Sequence, residues 1–483
     1  MNMSLKSQAA RGVKWQVAVS VIQKIITFAT TIVLARQLGP EVYGLFAFAL
    51  VVVSSFELFK SMGIDSALLR REDDFDRAAD TAFVIIPALG IVLFGLLYVT
   101  APLIGSALDN RQMVEVVRVL GIIFVITCFT KVPVILMERQ LLFKGVSIAE
   151  IISAAVFSAT ALILVSLRAG IWTLVGAYIM RNLAYMLITW LWSGWKPGFT
   201  FDARLALDMF NFGKFVFLAA AAWFLKANLD NIFVGKLLGV TMLGYYAVAF
   251  NIGNFGFDYL GGRINRVIYP LYARLQSDKD KLTAAFLRVL TYICLAAFPL
   301  SVGAFLLGGD FIRITYGEKW VEAVPVLKVL SWLGIGNLVP VATESVFLTL
   351  GKPSYTLKTV VLQVALFFLL VPFAAPRFGL AGVASVVTGA SLVAMALQLV
   401  WVKKLLNIRY SRIFACIRPA IGASVVMAAA VLICKRGWRL IPGVPYGNYS
   451  FLIELFVAVA IYMSVLMLTN RVLVKEVRTL LAE

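Results

Sequence analysis

Apolar runs of about 20 residues recur along the chain, near 15–35, 43–63, 81–104, 114–136, 146–167, 171–193, 213–237, 243–265, 284–308, 323–348, 356–375, 379–401, 415–434 and 451–470. Each is long enough to cross a bilayer core of roughly 30 Å as a helix. The pattern predicts an all-α polytopic membrane protein of about fourteen spans, with both termini on one side. The polar, basic stretch 1–14 leads into a run with no small-residue cleavage site, so it reads as a retained first span. Connections are short, the longest lying around 195–215. There Phe201, Leu205, Leu207, Met209, Phe210 and Phe212 alternate with Asp202, Arg204 and Asp208, which predicts an amphipathic helix on the cytoplasmic surface.

Two stretches of the pattern are related. Leu38, Gly39, Gly44, Ala47 and Ala49 recur as Leu238, Gly239, Gly244, Ala247 and Ala249, and Arg36 is answered by Lys236. Arg168-Ala169-Gly170 before the sixth span is echoed by Arg377-Phe378-Gly379 before the twelfth. Met113-Val114-Glu115 before the fourth is echoed by Trp320-Val321-Glu322 before the tenth. Six spans per half make corresponding helices point the same way, a parallel repeat with its axis along the membrane normal. The expected organisation is an N-terminal lobe over 1–195, a linker over 196–214 and a C-terminal lobe over 215–405. Residues 406–483 then carry two appended spans and a cytoplasmic tail.

Composition agrees with a membrane chain. Of 483 residues, 61% are hydrophobic and 14% charged, against roughly 25% charged in soluble domains. The net charge of +19 is concentrated in segments that fall on one side, among them Arg263, Arg266, Arg274, Lys279, Lys281 and Arg288, and Lys403, Lys404, Arg409, Arg412 and Arg418. That is the positive-inside bias, with the N-terminus cytoplasmic, and anionic lipid head groups are a sufficient partner for it. Nucleic acid is not implied. The four cysteines (Cys128, Cys294, Cys416 and Cys434) lie in separate spans without metal spacing and read as core residues.

A charge at mid-bilayer costs at least about 2.5–3.5 kcal/mol, so such residues face a cavity or a partner. Lys24, Arg181 and Lys226 are the deep cations. Ser20, Lys24, Thr27 and Thr31 form one stripe, and Tyr178, Arg181, Asn182 and Tyr185 another. Lys226 precedes Asp230 by four residues, beside Asn228 and Asn231. Asn251, Asn254, Asp258 and Asn265 follow on the eighth span. Lys226 and Asp230 neutralising each other, and Asn and Thr acting as interhelical glue, are the structural alternatives. Lys60, Lys131, Glu150 and Glu344 fall near cytoplasmic ends, where snorkelling or surface pairing suffices. An excess of cations at depth suits an anionic substrate such as a diphosphate, whose oxygens pair with Arg and Lys. Neighbouring Asn, Thr and Tyr groups suit sugars. The chain has no histidine and no P-loop pattern, which excludes His-based chemistry and argues against an ATPase.

Over nearly its whole length the sequence resembles Wzx-type polysaccharide exporters, the oligosaccharidyl-lipid flippases of the larger superfamily that includes the MATE drug exporters. The resemblance is carried by LARQLGPEVYG at 34–44, ERQLLFKG at 138–145, NLDNIFVGKLLG at 228–239, RVIYPLYARLQSDKDKL at 266–282 and YGEKWVEAVPVLKVL at 316–330. The last two are most like the colanic and teichuronic acid exporter branch. It implies two six-helix lobes related by a pseudo-two-fold around a central cavity, plus two C-terminal helices. It also implies movement of undecaprenyl-diphosphate-linked oligosaccharide units across the bacterial cytoplasmic membrane by alternating access, without covalent chemistry. On that reading Lys24, Arg181 and Lys226 hold the diphosphate, and Asn228, Asn251 and Asn254 contact sugar hydroxyls. No cofactor is expected. Coupling to Na⁺ or H⁺ through Asp230, Asp258 or Glu57 is the option the drug exporters suggest. Membrane lipids and a polysaccharide polymerase complex are the expected partners, and the chain is expected to be a monomer. A cation-coupled drug exporter is the alternative within the transport class, and a membrane polysaccharide polymerase or ligase the alternative outside it.

Overall fold

The computed structural model describes residues 23, 26–71, 73–140, 142–440 and 448–469, which are helical almost throughout and contain no strand. Residues 26–37 are helical and are followed by α1 (Pro40–Ser61), α2 (Ile64–Arg70), α3 (Phe75–Ala107), α4 (Arg111–Leu120), α5 (Ile122–Arg139), α6 (Phe143–Ser166), α7 (Ile171–Ser193), α8 (Ala203–Leu237) and α9 (Val240–Gly253). A π turn, Phe257–Gly261, leads into α10 (Gly262–Arg274). Then come α11 (Lys279–Thr315), α12 (Ala323–Leu330), α13 (Leu333–Thr349), α14 (Ser354–Leu406), α15 (Tyr410–Leu440) and α16 (Asn448–Thr469).

Eleven stretches of helix are long and apolar enough to cross a membrane. One of them, α14, is 53 residues long and is broken at Gly379 into two spans. The α9–π–α10 run supplies a further crossing. The first expected span falls mostly outside the described residues. About fourteen crossings is therefore what the fold supports, and the chain is a multi-pass membrane protein.

Local signals explain the helix ends. Pro40 starts α1, where its missing N–H costs nothing. Asp202 caps α8 by accepting from the amides of Arg204 and Leu205 at 2.8 and 3.2 Å. Asp278 caps α11 by accepting from Lys281 N at 3.0 Å. The repeat is visible in the backbone itself. Gly170 has φ 57° and ψ −128°, and Gly379 has φ 57° and ψ −146°. An L side chain avoids that conformation, so the same sharp turn recurs between spans at equivalent positions. Met113 and Trp320, also repeat equivalents, are both fully buried.

The chain divides into two compact units, Met1–Gly244 and Tyr245–Glu483. In the first, Ile64, Leu68, Phe83, Ile86, Cys128 and Val132 form a core that also takes Leu205 and Met209 from α8. The expected surface helix around 203–214 is therefore the first three turns of α8. Leu205 and Met209 of it pack into the core of α2 and α3, whereas Phe201, Leu207, Phe210 and Phe212 are exposed, with Arg70 5.2 Å over the Phe212 ring. The preceding strand of chain is tied to α3, since Asp80 accepts from Gly198 N at 2.8 Å and from Thr200 Oγ1 at 3.1 Å. In the second unit, Phe286, Leu290, Ile293, Leu338, Ala342, Phe347 and Val402 make the main core. The two C-terminal helices add a smaller one, with Leu307 of α11 against Met427, Val431 and Tyr462. Lys435 of α15 locks this hairpin in place, pairing with Asp310 of α11 and lying 3.9 Å from the fully buried Glu454 of α16.

Candidate functional site

In the first unit several charged side chains lie within the helices that cross the membrane. Lys60 on α1 is 5% exposed; its ammonium is 3.2 Å from Glu57 and donates to Thr127 Oγ1 of α5 at 2.7 Å. Position alone suggested snorkelling for Lys60, but α5 brings a hydroxyl to it and holds it inside. One turn further along α5, Lys131 pairs with Asp65 of α2 at 3.2 Å. Tyr178, Arg181 and Tyr185 share a face of α7, and the Arg181 guanidinium is within electrostatic reach of both hydroxyls. Glu57 acts on Tyr178 from α1, and Glu150 on Tyr185 from α6. Arg181 is half-buried and makes no hydrogen bond or ion pair with another described residue. A guanidinium in this setting can pair with an oxyanion, whose oxygens accept the hydrogen bonds it has to give.

The other sequence candidates in this unit are placed as follows. The Lys226 ammonium sits 4.7 Å over the Trp223 ring. Asp230 is 2% exposed and accepts from Asn231 N at 2.9 Å. Asn228 donates back along α8 to the Phe224 carbonyl at 3.1 Å. Lys24 lies outside the described residues.

In the second unit several amides lie among the buried Ser and Thr hydroxyls. Asn254 donates to Asp258 Oδ1 at 2.8 Å and accepts from Asn337 Nδ2 of α13 at 2.9 Å. This chain runs into the π turn at Phe257–Gly261, a local rewinding of the kind common at functional positions. Asn265 accepts from Ser345 Oγ at 2.9 Å. Deeper between α13 and α14, Gln398 donates to Glu344 at 3.3 Å and to Thr359 at 3.0 Å, and accepts from Thr343. Gln398, Thr343 and Thr359 are each at most 2% exposed. Asn254 is 5% exposed with both amide ends engaged, whereas Asn251 is exposed and makes no hydrogen bond to a described residue.

Sequence reasoning missed Asn337 and Gln398. The signal available was a lone amide inside an apolar span, which is costly unless partnered. Among the described residues no three His, Cys, Asp or Glu side chains cluster to hold a metal ion.

Comparison with known proteins places these features in a family. The pattern of the polysaccharide biosynthesis protein family matches residues 33–325, more than half of the chain. Teichuronic acid biosynthesis protein TuaB of Bacillus subtilis is 30% identical over 298 residues, 61% of this chain and 62% of that protein. The chain thus spans less than two thirds of that relative. Lipopolysaccharide biosynthesis protein WzxC of Escherichia coli is 25% identical, over 87% of this chain and 83% of its own length. Among solved structures, the lipid II flippase MurJ in an inward closed conformation superposes with a TM-score of 0.75 at 12% identity, covering 95% of this chain and 99% of its own. A multidrug resistance MATE transporter gives 0.61 at 17% identity, over 80% and 94%. At those identities the likeness is one of fold. The family match is the stronger statement: this chain belongs to the polysaccharide biosynthesis protein family.

Proposed function

We propose that the protein is a flippase for lipid-linked oligosaccharides, carrying undecaprenyl-diphosphate-linked repeat units across the bacterial cytoplasmic membrane for cell-surface polysaccharide. The observation that carries this is Arg181, a membrane-embedded cation with no acid bonded to it among the described residues. Family membership and relatives named for polysaccharide biosynthesis support it. Arg181 takes the diphosphate, with the Tyr178 and Tyr185 hydroxyls beside it. Transport needs no covalent step and proceeds by alternating access.

The positive-inside bias orients the N-terminus to the cytoplasm. That puts the start of α1 and of α9 on the outer side and the linker before α8 on the inner side. Coupling to Na⁺ or H⁺ would use Asp230, Asp258 or Glu57, the last of which pairs with Lys60 at 3.2 Å. The drug-exporter alternative needs an excess of acid at depth, whereas Arg181 is a cation with no acid bonded to it among the described residues. The test is polymer export in cells. Arg181→Ala abolishes it at normal protein level and Arg181→Lys keeps part of it; full export from the alanine variant removes the site and the reading built on it.

A further inference from the structure

Helices in a bilayer gain no hydrophobic drive from touching each other, so close backbone approach through small residues matters more there than in water. Helix α1 meets the α8–α9 pair through glycines at both of its ends. At one end, a Cβ on Gly44 would fall 1.6 Å from Val240 O, and a Cβ on Gly244 would fall 1.9 Å from Pro40 O. At the other, a Cβ on Gly213 would fall 2.2 Å from Met62 O and 2.9 Å from Gly63 C. In each case the obstacle is backbone, which cannot turn aside as a side chain can. Gly63 needs its glycine twice over, because its φ is +79°.

The first crossing is reciprocal. Gly44 and Gly244 are equivalents in the sequence repeat, as are Pro40 and Val240, and each glycine abuts the other's partner. That is the signature of a local two-fold contact. The two crossings are separated by most of α1, 19 residues from Gly44 to Gly63, or about 28 Å at 1.5 Å per residue. This matches a hydrocarbon core of roughly 30 Å, so they lie at opposite faces of the membrane. Both are engaged in this structure.

We propose that these glycine crossings are the two seals of the transport cycle, Gly44–Gly244 on the outer face and Gly63–Gly213 on the cytoplasmic face, opened in alternation. The proposal rests on the translocation reading and the orientation given above. Backbone-only contacts suit this duty: they fit closely when shut, and their opening strands no buried charge. A single methyl group at either crossing wedges that face open and biases the cycle toward it.

The test uses full-length protein in right-side-out vesicles, with Cys416 and Cys434 replaced by Ser and Asn251→Cys as reporter for an impermeant maleimide added outside. Gly44→Ala and Gly244→Ala each raise outside labelling by about fivefold, as a modest bias on a two-state equilibrium gives. Gly213→Ala lowers it. Gly39→Ala leaves it unchanged, because nothing lies within 4 Å of a Cβ there and its φ of −80° suits any residue. Unchanged labelling in the three crossing variants, or a change of the same sign at both faces, overturns the proposal.

A second measurement keeps every glycine in place and so does not depend on the alanine variants folding. Spin labels at the exposed positions Glu41→Cys and Thr241→Cys, beside the outer crossing, should show a second, longer separation when undecaprenyl diphosphate is added. One fixed separation overturns the seal. Labelling that responds to the alanines in a protein that moves no lipid-linked oligosaccharide keeps the seals and removes the flippase reading instead.

Discussion

Among the described residues, the first unit carries a set of charges, Glu57, Lys60, Asp65, Lys131 and Arg181, and the second a set of amides, Asn254, Asn265, Asn337 and Gln398. In the first, four of the five are paired off against each other and Arg181 is left over. In the second, Gln398 and Asn254 hold helices together with both amide ends engaged, while Asn337 donates to Asn254 and keeps its own Oδ1 unpartnered. The difference separates two duties that a polar group in a membrane can have. A satisfied network fixes a core and has nothing left for a ligand, whereas a cation without a bonded acid is held ready for an anion. Shared ancestry of the halves shows in the twin turns at Gly170 and Gly379, and divergence shows in this chemistry.

The strongest way to break the contrast is at the charge cluster that α11, α15 and α16 bury in the second unit. Lys435→Met leaves the fully buried Glu454, and Asp310 beside it, without their lysine. Losing one partner of a buried pair costs roughly 3–5 kcal/mol, and the lower end, about 3, is expected because both acids keep other contacts. Thermal unfolding in detergent measures it. Little change in melting, together with lost transport, would make this triad functional and place working charge in both units.

A smaller effect sharpens the contrast from the amide side. Gln398→Leu leaves Thr343, Thr359 and Glu344 each short of a partner, at a cost of about 2 kcal/mol. Melting should fall while the apparent affinity for undecaprenyl diphosphate stays as it was. Arg181→Ala should do the reverse. A loss of lipid affinity in Gln398→Leu would mean that the amide network also serves the ligand.

The smallest effect lies outside the membrane, at the start of α11. Hydrogen bonds from the Lys281 backbone and side chain hold the Asp278 carboxyl below its ordinary range. A lowered folded pKa contributes stability that is complete above the unfolded value, about 3.9, and is lost as pH falls through the folded one. Melting followed from pH 5 downward should therefore decline less steeply in Asp278→Ala than in the unsubstituted protein. Equal slopes would show that the cap is broken in solution.

How much was legible in advance depended on periodicity. Spans were readable because twenty apolar residues in a row have one meaning, and the turn at Gly379 was readable because its sequence echoes Gly170. Arg181 stood out because it lacked an acid one turn away on its own helix, a local property. Lys60 was misjudged for the complementary reason. Its position near a helix end suggested a route to water, and only the fold brings Thr127 against it. Asn337 and Gln398 carried no period, since their partners come from helices tens of residues away. The helix expected before α8 forms the first turns of α8, where Leu205 and Met209 pack on α2 and α3 while Phe201, Leu207, Phe210 and Phe212 stay exposed. Nothing in one stretch of sequence tells those two destinations apart.

The central claim is that Arg181 seats the diphosphate of a lipid that this protein moves between leaflets. The direct measurement follows a fluorescent undecaprenyl-diphosphate oligosaccharide in liposomes holding the purified protein, with an external sugar-cleaving enzyme reporting on outward movement. The account predicts protein-dependent loss of label that falls at least about tenfold, a barrier change of some 1.4 kcal/mol, in Arg181→Ala. Movement that proceeds equally well without the guanidinium, or none at all under Na⁺ and pH gradients of either direction, would contradict it.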